Sequence, residues 1–352
     1  MSSPPCWPTP SSWPWGRAAL PLLRRFAGVY VEGCTTVALP DSCAADFRGC
    51  GGATEADGLS AAKVYVRYEL LTGAIAEVGF QPGRRPDVAA GQAHAALPAG
   101  ALRLADLGFF DLGLLEGYTR QGVHWVSRLP AHATVAPAGG RPAGLAALLG
   151  GATADRLDLA VAVGAGGELA GRLLAWRCPP GVAGARLAKL EAAARKKGRP
   201  VGARQRVLAG WAVLITDLPA SELSPQEACQ LYRARWQVEL LFKRLKSVGG
   251  LGRTAGARRE RALCELLAKL LGQVVANWAT LLRGGPLAGP SPAKAARLVQ
   301  ESAGLLRRAF GSPGRLAKAL KELAAVLRRP RPGRRRRRTT RQRLLHPSLT
   351  LC

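Results

Sequence analysis

Four side chains of types that can bind phosphates or divalent cations lie at helical spacing late in the chain: Tyr232, Arg235, Glu239 and Lys246. They lie within residues 227–247, whose apolar periodicity predicts a helix. At about 100° per residue they share a stripe about 60° wide and about 21 Å long. Cationic and hydroxyl groups around one carboxylate can grip a polyanion, with the carboxylate holding a divalent cation. The alternative is an ordinary surface salt bridge between Arg235 and Glu239, four residues apart.

The remaining sides of this helix indicate how it is held. Its core-facing side is apolar and consists of Ala234, Val238, Leu241 and Leu245. A second side is assigned to solvent and consists of Arg233, Gln237 and Arg244. Ser224, Pro225 and Glu227 form a capping-box pattern that predicts the start of the helix. An apolar strand over residues 211–216 precedes it.

The rest of the chain predicts a mixed α/β fold. Residues 1–27 hold six prolines and three tryptophans and are interpreted as a leader without an assigned fold. Alternating and β-branched segments then predict strands, and 3.6-residue periodicity predicts helices. The expected strands are 29–31, 36–39, 62–70, 75–80, 101–105, 123–129, 157–163, 169–176 and 211–216, and the expected helices include 109–118 and 185–197.

Charge indicates the class of partner. The 352 residues contain 51 Lys and Arg against 23 Asp and Glu, a net charge of +28, so an anionic partner, first of all nucleic acid, is expected. From residue 286 onward there are 17 basic residues and two glutamates, a local +15, with an unbroken run at Arg334–Arg338. We interpret that run as a solvated tail that adds non-specific affinity.

Zinc and a membrane are not expected as partners. The eight cysteines lack paired C-x-x-C spacing, which favours free or buried thiols in a reducing cytoplasm. The longest apolar stretch, residues 262–282, carries a polar stripe, which is typical of a mostly buried helix of a water-soluble protein. That stripe consists of Glu265, Lys269, Gln273 and Asn277.

Two segments carry a family resemblance. LYRARWQVELLFKRLK at 231–246 resembles the Y-(2)-R-(3)-E-(6)-K signature of bacterial insertion-sequence DDE transposases of the insertion sequence four family, and every spacing matches. LADLGFF at 104–110 resembles the family's second-aspartate motif, and LITDLP at 214–219 resembles the strand before the signature helix. The resemblance covers roughly residues 28–283.

The resemblance implies a ribonuclease-H-like mixed sheet interrupted by a β-rich insertion, for which the 132 residues between Asp106 and Glu239 leave room. In such enzymes three carboxylates bind two Mg²⁺ ions, with Mn²⁺ as a substitute, that activate the nucleophile and stabilise the leaving oxygen. Asp106 and Glu239 match two of these catalytic metal ligands. The same resemblance implies that the terminal phosphates of the transposon end are bound by Tyr232, Arg235 and Lys246. It also implies that Lys243 contacts the DNA backbone. Trp236 either stacks on an unpaired base or packs in the core.

The first aspartate of the triad is missing. In the segment VYVEGCTT at 29–36, Gly33 stands where the family has aspartate. Glu32 is adjacent, but side chains alternate across a strand, so it should face the other side unless a bulge intervenes. Asp41 and Asp46 lie too far along the chain. We therefore expect a transposase fold with little or no strand-transfer activity.

The expected organisation follows the resemblance. Residues 1–27 are a leader or remnant of a DNA-binding domain, 28–129 the first half of the core and 130–210 the insertion. Residues 211–284 complete the core, and 285–352 form a basic helical or disordered tail.

The partners expected from the resemblance are double-stranded DNA at inverted repeats, target DNA and a second copy in a synaptic dimer, at the bacterial nucleoid in the cytoplasm. Two alternatives stay open. One is a catalytically inactive DNA-binding remnant, and the other is a non-specific basic nucleic-acid-binding protein.

Overall fold

A computed structural model describes residues 21–50, 59–196, 198–252, 254–282 and 292–328. The Arg334–Arg338 run and residues 1–20 of the leader lie outside these ranges. The described residues divide into two compact units. The first unit contains residues 21–95 and 234–328, and the second contains residues 96–233.

Strands and helices alternate along the described residues. The strands are β1 (Val29–Leu39), β2 (Ser60–Glu69), β3 (Ile75–Pro82), β4 (Leu102–Ala105), β5 (His124–Ser127), β6 (Thr134–Pro137), β7 (Ala143–Gly144), β8 (Arg156–Val163), β9 (Leu169–Arg177) and β10 (Trp211–Thr216). The helices are α1 (Leu112–Arg120), α2 (Leu145–Gly150), α3 (Pro180–Arg195), α4 (Ala203–Ala209), α5 (Pro225–Ala234), α6 (Trp236–Ser247), α7 (Arg259–Leu281), α8 (Pro292–Glu301), α9 (Ala303–Ala309) and α10 (Pro313–Arg328).

The first unit contains an antiparallel ribbon in the order β3-β2-β1. The two short strands expected at 29–31 and 36–39 form one continuous strand, β1. Gly33 lies in its middle, opposite Val66 of β2. Long antiparallel pairing maintains the strand through this glycine, because β2 supplies ladder hydrogen bonds on both sides of it.

The second unit carries a mixed sheet in the order β4-β5-β10-β9-β8-β6-β7. β4 and β5 are parallel, and α1 connects them. A parallel pair needs such a crossover. The other pairs are antiparallel. The predicted α/β class with a mixed sheet is confirmed. Residues 130–210 contain strands β6–β9 together with three helices, α2–α4.

Local capping chemistry decides where two helices start. The helix expected from residue 109 begins at Leu112 instead, because the Asp111 carboxylate accepts the Leu114 amide at 2.8 Å and caps it there. The capping box predicted before α5 is confirmed. The Ser224 amide donates to Glu227 Oε2 at 2.9 Å, and the Glu227 amide donates to Ser224 Oγ at 3.3 Å.

Helix α7 covers the apolar stretch that was expected to be mostly buried. Part of its polar stripe turns inward: the Asn277 amide accepts from the Ile75 backbone at 2.8 Å and donates to the Gly73 carbonyl at 3.1 Å. The predicted burial is wrong for one apolar stripe of this helix, whose side chains are exposed. That stripe, 45–65% exposed, consists of Leu267, Leu271, Val275 and Trp278. Among the described residues no helix is long and apolar enough to span a membrane.

Candidate functional site

The predicted single helix over residues 227–247 is two helices. Arg235 separates α5 from α6, and the Val238 amide bonds to the Arg235 carbonyl three residues earlier, at 3.1 Å, so the ladder tightens there. The boundary between the two units also falls here, after Arg233. The prediction of one uninterrupted helix is therefore corrected to two helices: Tyr232 belongs to α5, whereas Glu239 belongs to α6.

Asp106 follows β4 and is held by two donors within the second unit. Its Oδ1 accepts the Leu107 amide at 2.8 Å, which caps the 3₁₀ turn Leu107–Phe109. The same oxygen accepts the Tyr232 hydroxyl at 3.2 Å. Tyr232, which the resemblance assigned to phosphate, thus contacts the second-aspartate position itself. This bond orients one oxygen of the half-buried carboxylate.

Glu239 lies on the first turn of α6 beside Arg235. Arg235 Nη1 lies 3.3 Å from Glu239 Oε1, with the two side chains 13% and 41% exposed. The salt bridge considered from spacing is therefore present. An ion pair with one exposed partner contributes roughly 0–1 kcal/mol to stability, so it does not prevent Glu239 from binding another cation.

Gly33 lies directly under α6. A Cβ at this position would be 2.8 Å from Phe242 Cε2 and 3.0 Å from Val238 Cγ1. Ordinary carbon contacts are about 3.5–4.0 Å, so a side chain at position 33 would require Phe242 or Val238 to shift. The first triad position therefore lacks a carboxylate, and the space a side chain would enter is occupied by Phe242 and Val238.

Glu32 does not replace the missing aspartate. It is fully buried, and its Oε1 accepts Arg67 Nε at 3.0 Å. Glu32, Arg67 and Glu77 are direct neighbours across β1, β2 and β3, and Arg67 Nη1 lies 3.1 Å from Glu77 Oε2. The register continues without a bulge at Gly33, so Glu32 faces the opposite side of the ribbon, as the alternation predicts.

The two later aspartates are also engaged elsewhere in the first unit. Asp41 Oδ1 accepts the Leu59 amide at 3.1 Å. Asp46 Oδ2 accepts Arg259 Nε at 2.7 Å, and this carboxylate raises the pKa of the Arg259 guanidinium. Neither carboxylate stands in for position 33.

The surface of α6 agrees with prediction on its apolar side and differs elsewhere. The predicted core residues Val238, Leu241 and Leu245 are buried. Trp236 is 59% exposed, so the packed-core alternative is wrong for this residue. Arg244, assigned to solvent by the helical wheel, is half-buried, and burial lowers its guanidinium pKa. The exposed cations of α6 are Lys243 and Lys246.

A carboxylate that received no role from the sequence joins two strands of the second unit. Asp217, directly after β10, accepts the Trp125 amide at 2.8 Å through Oδ1. Its Oδ2 lies 2.8 Å from His124 Nδ1, and burial raises the Asp217 pKa. In the sequence, only its position at the end of a strongly apolar strand could have indicated a structural role for this carboxylate. The pair secures β10 beside β5.

The sequence profile described as "Transposase DDE domain" matches residues 35–273, more than half of the chain. The chain belongs to the transposase DDE domain family. The match begins two residues after Gly33 and contains Asp106, Tyr232 and Glu239. DDE transposases generally use divalent metal ions.

Insertion-sequence transposases are among the similar proteins. The transposase of insertion sequence element IS231F from Bacillus thuringiensis subsp. israelensis is 25% identical over 271 residues, which are 71% of this chain and 56% of that protein. The putative transposase InsL of IS186A from Escherichia coli strain K12 is 39% identical over 107 residues, 30% of this chain and 29% of that protein. The chain thus spans about half the length of IS231F transposase.

A solved structure of the piggyBac transposase synaptic complex with hairpin DNA is also similar. It covers 88% of this chain and 59% of that chain, with a TM-score of 0.43 and 10% sequence identity.

The residues present do not fit a three-carboxylate metal site. Position 33 has no ligand atom, and Glu32 is committed to Arg67. Across the ranges that the structure describes, no three His, Cys, Asp or Glu side chains are grouped so that they could hold a metal ion. Asp106 belongs to the second unit and Glu239 to the first.

Proposed function

We propose that this protein is a bacterial insertion-sequence transposase of the insertion sequence four family, built on a ribonuclease-H-like core. In this proposal residues 28–129 and 211–284 form the core, and 130–210 form the insertion. The protein recognises double-stranded DNA at the inverted repeats of its element, and two copies bring the ends together. Its Mg²⁺-dependent strand cleavage and transfer are impaired.

The proposed loss of strand cleavage rests on one observation. A glycine stands at the position of the first aspartate, and side chains of α6 fill the space next to it. Two-metal phosphodiester chemistry needs negative ligands on both ions, since the charge that develops on both sides of phosphorus must be neutralised. Asp106 and Glu239 are the two remaining carboxylates of the proposed triad. Without the third, the proposal contains no cleavage step.

DNA recognition can use the cationic and aromatic side chains of α6 and the Tyr232 hydroxyl without a metal ion. The exposed Trp236, Lys243 and Lys246 can reach a DNA backbone or a base from α6. Arg235, mostly buried beside Glu239, presents its guanidinium from a fixed position, and Tyr232 offers a hydroxyl beside Asp106. Fixed donors suit phosphate recognition, because less side-chain entropy is lost on binding.

The proposal is tested with labelled DNA taken from both flanks of the gene, where inverted repeats bounded by a short target duplication should occur. The native chain should bind these ends in preference to unrelated duplexes and should leave them uncut in Mg²⁺ or Mn²⁺. Cleavage should appear in the Gly33→Asp/Phe242→Leu double variant, in which the leucine removes the ring atom that obstructs the new side chain. Phe242→Leu alone is the matched control.

Three outcomes separate the alternatives. Efficient cleavage by the native chain would overturn the impairment. End binding without cleavage in the double variant would show that more than Gly33 is missing and would favour a DNA-binding remnant. Equal affinity for ends and for random duplex, with steep salt dependence, would favour a non-specific nucleic-acid-binding protein.

A further inference from the structure

The C-terminal helical module, which we define as residues 292–328, lies beyond the part of the chain that matches the transposase profile. It contains α8, α9 and α10 and has a core of its own. Leu298 and Val299 of α8 pack with Leu323 and Leu327 of α10, and Ala276 and Ala279 of α7 pack against them. These contacts make the module a folded part of the first unit.

The module is strongly basic. It contains eight Lys and Arg and two glutamates, a net charge of +6 within 37 residues. All eight basic side chains are exposed. A surface with so little acidic compensation attracts anions along its whole length.

Helix α10 arranges part of this charge on one face. The basic members of this face are Arg315, Lys318, Lys321 and Arg328. The exposed Glu322 lies within the same arc, so the net charge of the face is +3. At about 100° and 1.5 Å per residue they span an arc of about 140° and a length of about 20 Å. The opposite side is the buried one, where Leu323 and Leu327 are 2% and 0% exposed.

The basic face is held at one end and open along the rest. Arg328 Nε donates to the Leu282 carbonyl at 3.2 Å, which fixes the last turn of α10 against the end of α7. Among the described residues, no salt bridge within 4.0 Å involves Arg315, Lys318 or Lys321. Their charges are therefore available to an external anion.

We propose that the basic face of α10 binds the phosphate backbone of duplex DNA, independently of base sequence, as a second DNA contact outside the DDE domain. A duplex carries one negative charge per about 1.7 Å of its axis with both strands counted, so a segment about 20 Å long carries about twelve phosphate charges, of which the helix faces those on its own side. The choice of DNA over another duplex rests on the proposed function.

Two features of α10 favour a duplex over other polyanions. Its apolar side is already buried in the module, so it has no apolar face to insert into a lipid surface. It contains no aromatic residue, and proteins that bind single strands use aromatic side chains to stack on bases. Charge alone, spread over a rigid helix, matches a rigid backbone of regularly spaced phosphates.

The test uses the full chain and a random-sequence duplex of about 30 base pairs that lacks the element ends. The Lys318→Glu/Lys321→Glu variant should bind at least about tenfold more weakly at about 0.1 M salt, and the slope of log K against log salt should become shallower by about 1.8, or 0.9 per lost phosphate contact. The matched control is Lys189→Glu/Lys196→Glu, which changes the net charge equally at exposed lysines of the second unit.

The controls separate a local contact from a general charge effect. Equal losses in both double variants would overturn the proposal, as would no loss in the α10 variant. Binding of phosphatidylserine vesicles that is lost in the α10 variant, with duplex binding unchanged, would also overturn it. Circular dichroism of both variants checks folding. Because the probe contains no element ends and nothing is cleaved, these results do not depend on end recognition or on the missing aspartate.

Discussion

Replacing Gly33 with alanine adds one methyl group where β1 lies under α6. The new carbon would be 2.8 Å from Phe242 Cε2 and 3.0 Å from Val238 Cγ1. Both distances are short of ordinary contact by about 0.5–1 Å. Overpacking of this kind costs about 1–3 kcal/mol. Relief of glycine's backbone entropy offsets about 0.5–1 kcal/mol. We therefore expect Gly33→Ala to lower the free energy of unfolding by about 0.5–2 kcal/mol.

A double-mutant cycle with Phe242→Leu identifies the cause. Leucine lacks the ring atom that the methyl group meets, so the double variant should be more stable than the sum of the single changes predicts, by about 1 kcal/mol. Urea unfolding followed by circular dichroism measures the unfolding free energy of each variant. The values are compared where the slope of free energy against urea concentration is unchanged. The close approach of α6 to β1 would be refuted if Gly33→Ala raised the urea midpoint or if the two changes were additive.

Three further predictions concern side chains whose hydrogen-bond or ion-pair partners are seen only in the folded structure. Arg67→Met should lower the unfolding free energy by about 3–5 kcal/mol, because Glu32 loses its buried partner. The control Arg120→Met breaks an exposed pair with Glu116 and should lower it by at most about 0.5 kcal/mol. Equal losses in the two variants would contradict the burial argument. Burial raises the pKa of Asp217, so its contribution to stability is fully present below the unfolded pKa of about 3.9 and is lost as pH rises through the folded pKa. The urea midpoint of the native chain should therefore fall as pH rises, and this fall should be absent in Asp217→Asn. The same pH profile in both proteins would contradict the role of the Asp217 carboxyl. Tyr232→Phe should lower the unfolding free energy by about 0.5–1.5 kcal/mol without DNA, since Asp106 loses a donor; no change in urea unfolding would show that the hydroxyl does not hold this carboxylate.

Local patterns predicted the elements around the candidate site well. The capping box at Ser224, the apolar side of α6 and strand β10 follow from interactions between residues close in the chain. Such interactions depend on side-chain type and spacing, which a sequence displays directly. The interruption at Arg235 was not predictable in this way, because the residues on both sides are compatible with one helix.

Contacts between distant residues decided the rest of the site. The bond from Tyr232 to Asp106 spans 126 positions and changes the expected role of the tyrosine. The Asp217 pair joins strands 92 positions apart and received no role from its neighbours. Trp236 is exposed and Asn277 is buried, each against the simplest expectation for its residue type.

The sequence by itself determined the family, the α/β class, the basic charge and the absence of an aspartate at position 33. These properties depend on residue identity and order, and they need no knowledge of what lies opposite each side chain. Only the tertiary structure decided that Glu32 is committed to Arg67 and that α6 fills the space above Gly33. The physical reason is that close packing and the desolvation of charge are set by neighbours in space, and the chain brings those neighbours together only when it folds.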